Sequence, residues 1–393
     1  MKPKFFRAAA AAAAVIVVLS AAGLARSAED RQSLDRYLDL FVDVVALIRS
    51  DYVDDVSLDK LFSGAMNGML RSLDPYSQFL DADAYNELKV DTQGEFGGLG
   101  LEISVKGGVL HVIAPLDGSP ADQAGLKAGD TIMKIDEATT RDLSLGDAVK
   151  RLRGAPGSEV HLTVMREGEN NLHEFTVKRA VINVRSVKQA HLLPGGAGYV
   201  RLTSFQERSA EDLEEALKTL EREGMAGLVL DVRNNAGGLL NAAVDITGKF
   251  IPRGRLVVST RGRTAEKVTK FISKAKQSRR RYPLVVLVNK GSASGSEILA
   301  GAIQDYGYGT VVGTKTFGKA SVQTLIPLPD GTAIRITTSK YYTPKGRLLH
   351  EAGITPDIVV EGEQSAEGKD PQLDRAVQVL REKIAQLSPP KAA

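Results

Sequence analysis

Apolar positions along this chain change period several times, and the changes mark out its segments. Residues 34–48, LDRYLDLFVDVVALI, repeat at helical spacing, as do residues 370–387, DPQLDRAVQVLREKIAQL. Between them GGVLHVIAPL (107–116), DTIMKID (130–136) and EVHLTVMREG (159–168) read as short strands with turns between, while LSLGDAVKRLRG (143–154) is helical and stops at Gly154. Farther on, continuous apolar runs such as GLVLD (227–231) and PLVVLVN (283–289) alternate with helical patterns at 210–222, 238–250 and 295–306. Strands alternating with helices define an α/β layer architecture. The expected organisation is a helical region over 30–92, a strand-rich module over 93–182, an α/β core over 183–360, and a C-terminal helix with a disordered tail over 361–393.

The first residues change the picture of compartment. Lys2, Lys4 and Arg7 precede an apolar run from Ala8 to Leu24, and the small residues Gly23 and Ala25 offer a cleavage site. This is the pattern of a secretory signal over 1–25, placing the mature protein in the periplasm or otherwise outside the cytoplasm. The run is also about long enough to span a bilayer, so an uncleaved inner-membrane anchor is the alternative. Losing the three basic residues takes the formal charge from +3 to zero, which argues against a nucleic-acid partner. Lys267, Lys270, Lys274, Lys276 and Arg279 to Arg281 form one basic stretch, read as a solvated face or a guarded strand edge. With no cysteine, the chain has neither disulfides nor a thiol nucleophile.

Two segments carry candidate chemistry. In VLVNKGSASGSEILAGAI (286–303) a β-branched run ends in small residues and becomes helical, exposing Ser294 at a helix N-terminus. In TVVGTKTFGKASVQTLIPL (310–328) alternation reads as a strand that puts Lys319, Ser321 and Gln323 on one face. A serine needs an adjacent base, and a lysine serves only if burial keeps it neutral. No carboxylate lies within ten residues of Lys319, and Gln323 can accept a hydrogen bond that orients its amine. The structural alternative is a capping box, Ser294-Gly295-Ser296-Glu297, in which the serine merely caps the helix. Residues 313–319 copy a phosphate-binding loop up to the lysine, but Ala320 replaces the magnesium-binding hydroxyl and no helix follows. No cofactor and no metal are expected. In GLVLDVRNNAGGLLNAAVDITGKFI (227–251) a strand, a Gly-rich turn and a helix supply N–H groups for a developing oxyanion.

These residues, with GAMNGMLRSLDPYSQFL (64–80), GLGLEI (98–103) and SPADQAGLKAGDTIMKID (119–136), resemble the carboxy-terminal processing proteases, also called tail-specific proteases. The resemblance runs over nearly all of residues 35–380. It implies a ClpP/crotonase-like serine protease core with an inserted PDZ domain and an N-terminal helical segment. It further implies Ser294 as nucleophile, Lys319 as general base, Gln323 as the residue orienting that base, and backbone donors at Gly237 or Gly238 and at Gly295. Ala236 and Glu137 depart from the family's usual Pro and Gly without touching this chemistry.

Residues 93–182 resemble the PDZ module itself, which adds an extended peptide as a strand and captures its terminal carboxylate on backbone N–H groups. The matching loop is Gly98-Leu99-Gly100-Leu101, and Arg153 stands where related proteases carry a regulatory arginine. The partners implied are proteins or peptides with free C-termini and further copies of the chain, with an activating adaptor left open and a membrane only if the leader is retained. A Ser/His triad, a catalytically silent PDZ scaffold and a crotonase-type acyl-CoA enzyme are the competing readings.

Overall fold

The computed structural model describes residues 33–141, 143–169, 171–264, 268–275, 280–362 and 369–387. The leader over 1–25, the tail after Leu387 and part of the basic stretch lie outside them. Among the described residues no helix is long and apolar enough to cross a membrane.

The chain divides into two compact units, Met1–Phe79 and Leu80–Ala393. In the first, a helix over 33–51 is followed by helix Leu58–Arg71, capped by the Ser57 side chain. The turn after it is held by Asp74, whose carboxylate accepts from the N–H groups of Tyr76 and Ser77 and from the Ser77 hydroxyl. Asn67 then accepts the Phe79 N–H, and Phe62 meets the Phe79 ring edge-on. Most of helix 33–51 is exposed, including Leu38, Val42 and Leu47, so its apolar residues have no core of their own in this unit.

In the second unit the strand-rich module forms as its alternation predicts. Strands Leu101–Lys106, Val109–Pro115, Thr131–Ile135, Glu159–Met165 and Leu172–Lys178 pair antiparallel in that order. Helix Leu145–Leu152 buries Ala148 and Leu152 on a core that includes Leu110, Ile132, Ile135, Leu162 and Val164. Glu95–Gly98 pairs with Ala180–Asn183, so the module leaves and rejoins the chain at one place.

A second six-stranded sheet orders its strands Val187–Leu193, Ala197–Leu202, Gly227–Asp231, Leu284–Val288, Thr310–Gly313 and Ile358–Val359. All its pairings are parallel except the first. Helices cover both faces, which is why the central strands are apolar throughout. Leu228, Leu230, Val286 and Val288 face a core shared with helices Ser209–Arg222, Leu240–Gly248 and Gly295–Tyr306. Val229, Val285 and Leu287 face the C-terminal helix Pro371–Leu387 through Ala376, Val379 and Leu380.

Two expectations need correction. The strand through Lys319 starts only at Ser321, because residues 316–319 are held as a loop by side-chain contacts, and a bulge between Val322 and Gln323 breaks the alternation. Arg280 is not a solvated charge but pairs with Glu214 at 2.9 Å and Glu221 at 2.6 Å on helix Ser209–Arg222.

Candidate active site

Strands Gly227–Asp231 and Leu284–Val288 are parallel neighbours, so the turns that leave their carboxyl ends lie side by side. The Asn289 side chain joins them, accepting the Asn234 N–H at 2.9 Å and donating to Asn234 Oδ1 at 2.8 Å. Ser292 donates to the Val232 carbonyl at 2.8 Å and Ser296 to the Asn235 carbonyl at 2.9 Å. Both hydroxyls therefore serve the backbone of the neighbouring turn.

Ser294 is held differently. It precedes helix Gly295–Tyr306 with φ 51° and ψ −107°, whereas the capping residues Ser57, Asp81, Ser119 and Ser144 are all extended, as caps ordinarily are. A positive φ on a residue with a Cβ costs about 1–3 kcal/mol and persists where the surroundings impose it. Gly237 makes room for it: a Cβ there would stand 2.7 Å from Ser294 Cβ and 2.8 Å from the Gly295 nitrogen. The Glu297 carboxylate accepts the Ser294 N–H at 2.9 Å, as a capping box requires. Cap and candidate nucleophile are thus the same residue. Only 8% of Ser294 is exposed, and the Tyr341 phenol, which burial pushes up to about 12, lies within hydrogen-bonding reach of it.

Glu297 also brings in Lys319. Its other oxygen accepts from the Thr316 hydroxyl at 2.6 Å and the Gly318 N–H at 2.7 Å, and the Lys319 N–H adds to the same field. Burial pushes the Glu297 carboxyl above its ordinary value, while these donors pull the other way. One carboxylate therefore holds the backbones of both residues. The Phe317 N–H donates to the Ser292 carbonyl at 3.0 Å, a second tie between the two loops. Lys319 is partly buried; desolvation first, and the positive charge of Arg335 second, lower its pKa. The direction is the one a neutral amine base needs.

The Gln323 amide nitrogen donates to the Ser321 hydroxyl at 2.7 Å and the Thr337 hydroxyl at 3.3 Å, which leaves its carbonyl oxygen as the acceptor. The expected backbone donors separate. The Gly237 N–H is taken by Asn235 Oδ1 at 2.9 Å, so Gly237 contributes close approach to Ser294 and not a donor. The N–H groups of Gly238 and Gly295 take no acceptor among the described residues, Gly295 being the first residue of its helix. Each histidine is engaged elsewhere: His111 with Thr131, His161 with Thr176, His173 with Glu169, His191 against Tyr199, and His350 at 3.8 Å from Glu351.

The strand-rich module carries a second candidate site. Gly98, Leu99, Gly100 and Leu101 line a groove with Phe96, Ile103, Val149, Leu152 and Arg153. The Leu99 and Gly100 carbonyls accept from Ala121 and Leu116. A Cβ on Gly100, whose φ is 75°, would meet the Ser119 side chain at 2.4 Å. Arg153 covers this groove, its guanidinium 4.5 Å from the Phe96 ring centre.

Tyr341 and Arg335 are absent from any local motif, and only the folded strand Ala333–Tyr342 brings them to Ser294 and Lys319. Glu297 was legible only as a cap.

The chain matches the description "Peptidase family S41" over residues 196–360, "PDZ domain" over 87–165 and "Activating protease CtpB N-terminal domain" over 7–84. It is 41% identical over 339 residues to a carboxy-terminal-processing protease of Bartonella bacilliformis, covering 85% of this chain and 77% of that one. It is 35% identical to carboxy-terminal processing protease CtpB of Bacillus subtilis, covering 86% and 71%. The structure titled photosystem II D1 C-terminal processing protease aligns with 84% of this chain and 95% of its own, at 31% identity and a TM-score of 0.48. The protein is therefore a serine peptidase carrying a PDZ domain. It belongs to the carboxy-terminal processing proteases of family S41.

Proposed function

We propose that this protein is an exported endopeptidase that captures the free C-terminus of a protein in the Gly98–Leu101 groove and cuts near it with Ser294 and Lys319. The observation that carries this reading is the strained Ser294, held by Glu297 together with the loop of a lysine whose pKa is lowered. Ser294 Oγ attacks the scissile carbonyl while the Lys319 amine takes its proton; the oxyanion is met by the Gly295 and Gly238 N–H groups. Collapse expels the new amine, which receives that proton from Lys319, and leaves an acyl-enzyme. Water, deprotonated by Lys319, then attacks the acyl carbonyl; collapse releases the acid, and Ser294 Oγ takes that proton back from Lys319. The Gln323 carbonyl oxygen orients the Lys319 amine.

Around this centre we read a ClpP/crotonase-like core over 183–360, a PDZ domain over 93–182 and a helical region over 30–92. The leader over 1–25 directs export, either cleaved after Ala25 or kept as an anchor. The exposed apolar residues of helix 33–51, among them Leu38, Phe41 and Val42, favour pairing with a second copy of the chain.

A peptide amidated at its C-terminus is expected to be cut about tenfold more slowly than its free acid, compared as kcat/KM, because the groove's N–H groups lose a charged acceptor. Equal rates would remove carboxylate capture from the account and leave the chemistry at Ser294 untouched.

A further inference from the structure

A buried charge cluster lies beside the active-site turn, and the mechanism above makes no use of it. Arg233 stands between strand Gly227–Asp231 and the turn that ends at Gly238. Its guanidinium is gripped from two sides. Toward the sheet, Nε and Nη2 donate to both oxygens of Asp231, at 2.7 to 3.1 Å. Toward the C-terminal helix, Nη1 and Nη2 donate to the two oxygens of Asp370, at 2.9 and 2.8 Å, and Nη1 reaches Gln372 at 3.2 Å. Asp231 is wholly buried and also accepts from the Tyr199 hydroxyl at 2.8 Å, with Arg201 at 3.5 Å. Asp370 meanwhile caps its own helix, accepting the Leu373 N–H at 3.0 Å.

Holding a helix on a sheet does not need such a cluster. Apolar packing of Ala376, Val379 and Leu380 on Tyr199, Val229 and Leu287 already does that, and a buried ion pair is seldom more stabilising than an apolar one. A bidentate fork supplies direction instead. Asp231 Oδ1 also accepts the Arg233 N–H at 2.9 Å, so the cluster fixes backbone as well as side chain. The next residue, Asn234, must take φ 56°, and four residues later Gly238 presents its N–H. Asn289 pins this turn from the Ser294 side, and the Arg233–Asp370 pair pins its entrance from the other.

We propose that Arg233 and Asp370 are positioning residues for the Gly238 donor, so that the docked C-terminal helix is a working part of the catalytic apparatus. The inference rests on the reading of Ser294 given above.

The test uses the full chain with Asp370→Asn, which can still cap the helix, and Arg233→Lys, which keeps the charge and loses the fork. Leu380→Ala is the comparison, removing apolar packing only. Each is measured for kcat and KM on a free-acid peptide, for affinity toward a peptide boronate that forms a tetrahedral adduct on serine, and for Tm. Misplacing a donor predicts a fall of about tenfold to a hundredfold in kcat for both charge variants, with KM within about threefold. Boronate affinity falls in step with kcat, since only the tetrahedral state uses the donor. Leu380→Ala lowers Tm at least as far yet keeps kcat within about threefold. Should Asp370→Asn fail to fold, Arg233→Lys decides. Unchanged kcat in the charge variants, boronate affinity that stays put while kcat falls, or an equal kcat loss in Leu380→Ala would overturn the inference. A wild-type chain that neither cleaves peptide nor binds boronate would instead overturn the reading of Ser294, and the inference with it.

Discussion

Lys319→Arg is expected to cut peptide hydrolysis by about a thousandfold or more while leaving the fold intact, since general-base catalysis supplies a factor of that order. Arginine keeps the positive charge and much of the length but stays protonated at any working pH, so it cannot accept the Ser294 proton. Lysine can, because burial and then the Arg335 charge lower its pKa toward the working range. The sign follows directly. In the proposed mechanism the neutral amine is the active form, so kcat/KM is expected to rise with pH through the lowered Lys319 pKa. Arg335→Gln removes the neighbouring positive charge, raises the Lys319 pKa and moves that limb to higher pH. Substantial turnover by Lys319→Arg, or a limb that moves the other way in Arg335→Gln, would take Lys319 out of the mechanism.

Gly238→Ala is expected to have the next largest effect, on stability and rate together. Gly238 has φ 148°, and a Cβ there would lie 2.2 Å from the Phe205 carbonyl oxygen, so the turn has to shift. Strain and overlap together are expected to cost more than about 3 kcal/mol. In the proposed mechanism the same shift moves the Gly238 donor out of place, which should lower kcat about a hundredfold in whatever protein remains folded. Gly346→Ala is the matched comparison, with φ 82° and open space around the new methyl group. It is expected to cost about 1 kcal/mol and to leave kcat unchanged. Tm and active-site-normalised kcat for the two variants check both halves; equal kcat values would contradict a donor role for Gly238.

What the sequence revealed was whatever is local. Helical spacing over 295–306 and a small-residue turn before it located Ser294 at a helix start, and the glycines of 237–238 marked a turn that no residue with a Cβ fits. Periodicity also separated the strand-rich module from the α/β core. Lys319 stands out in the sequence by the absence of nearby carboxylates, but the alternation that reads its backbone as strand begins only at Ser321. The residues that hold it in a loop sit elsewhere: Glu297 is 22 positions before it, and Glu351, whose N–H donates to the Gly318 carbonyl, follows by 32. Tyr341 and Arg335 reach the site only through the pairing of Ser321–Pro327 with Ala333–Tyr342. The family resemblance implies a donor at Gly237 or Gly238. Asn235 claims the Gly237 N–H through its side chain, a contact that spacing alone does not announce.

The central claim is that one serine of three is the nucleophile. Ser292 and Ser296 are fully buried and donate to the Val232 and Asn235 carbonyls, whereas Ser294 carries the strained backbone at its helix start, with Gly237 packed closely against it. Treating the full chain with a serine-reactive phosphonate and mapping the adduct by mass spectrometry tests this most directly. The account predicts a single adduct on Ser294, formed faster as pH rises through the Lys319 titration and absent from Ser294→Ala. An adduct on Ser292 or Ser296, or labelling that survives in Ser294→Ala, would contradict it.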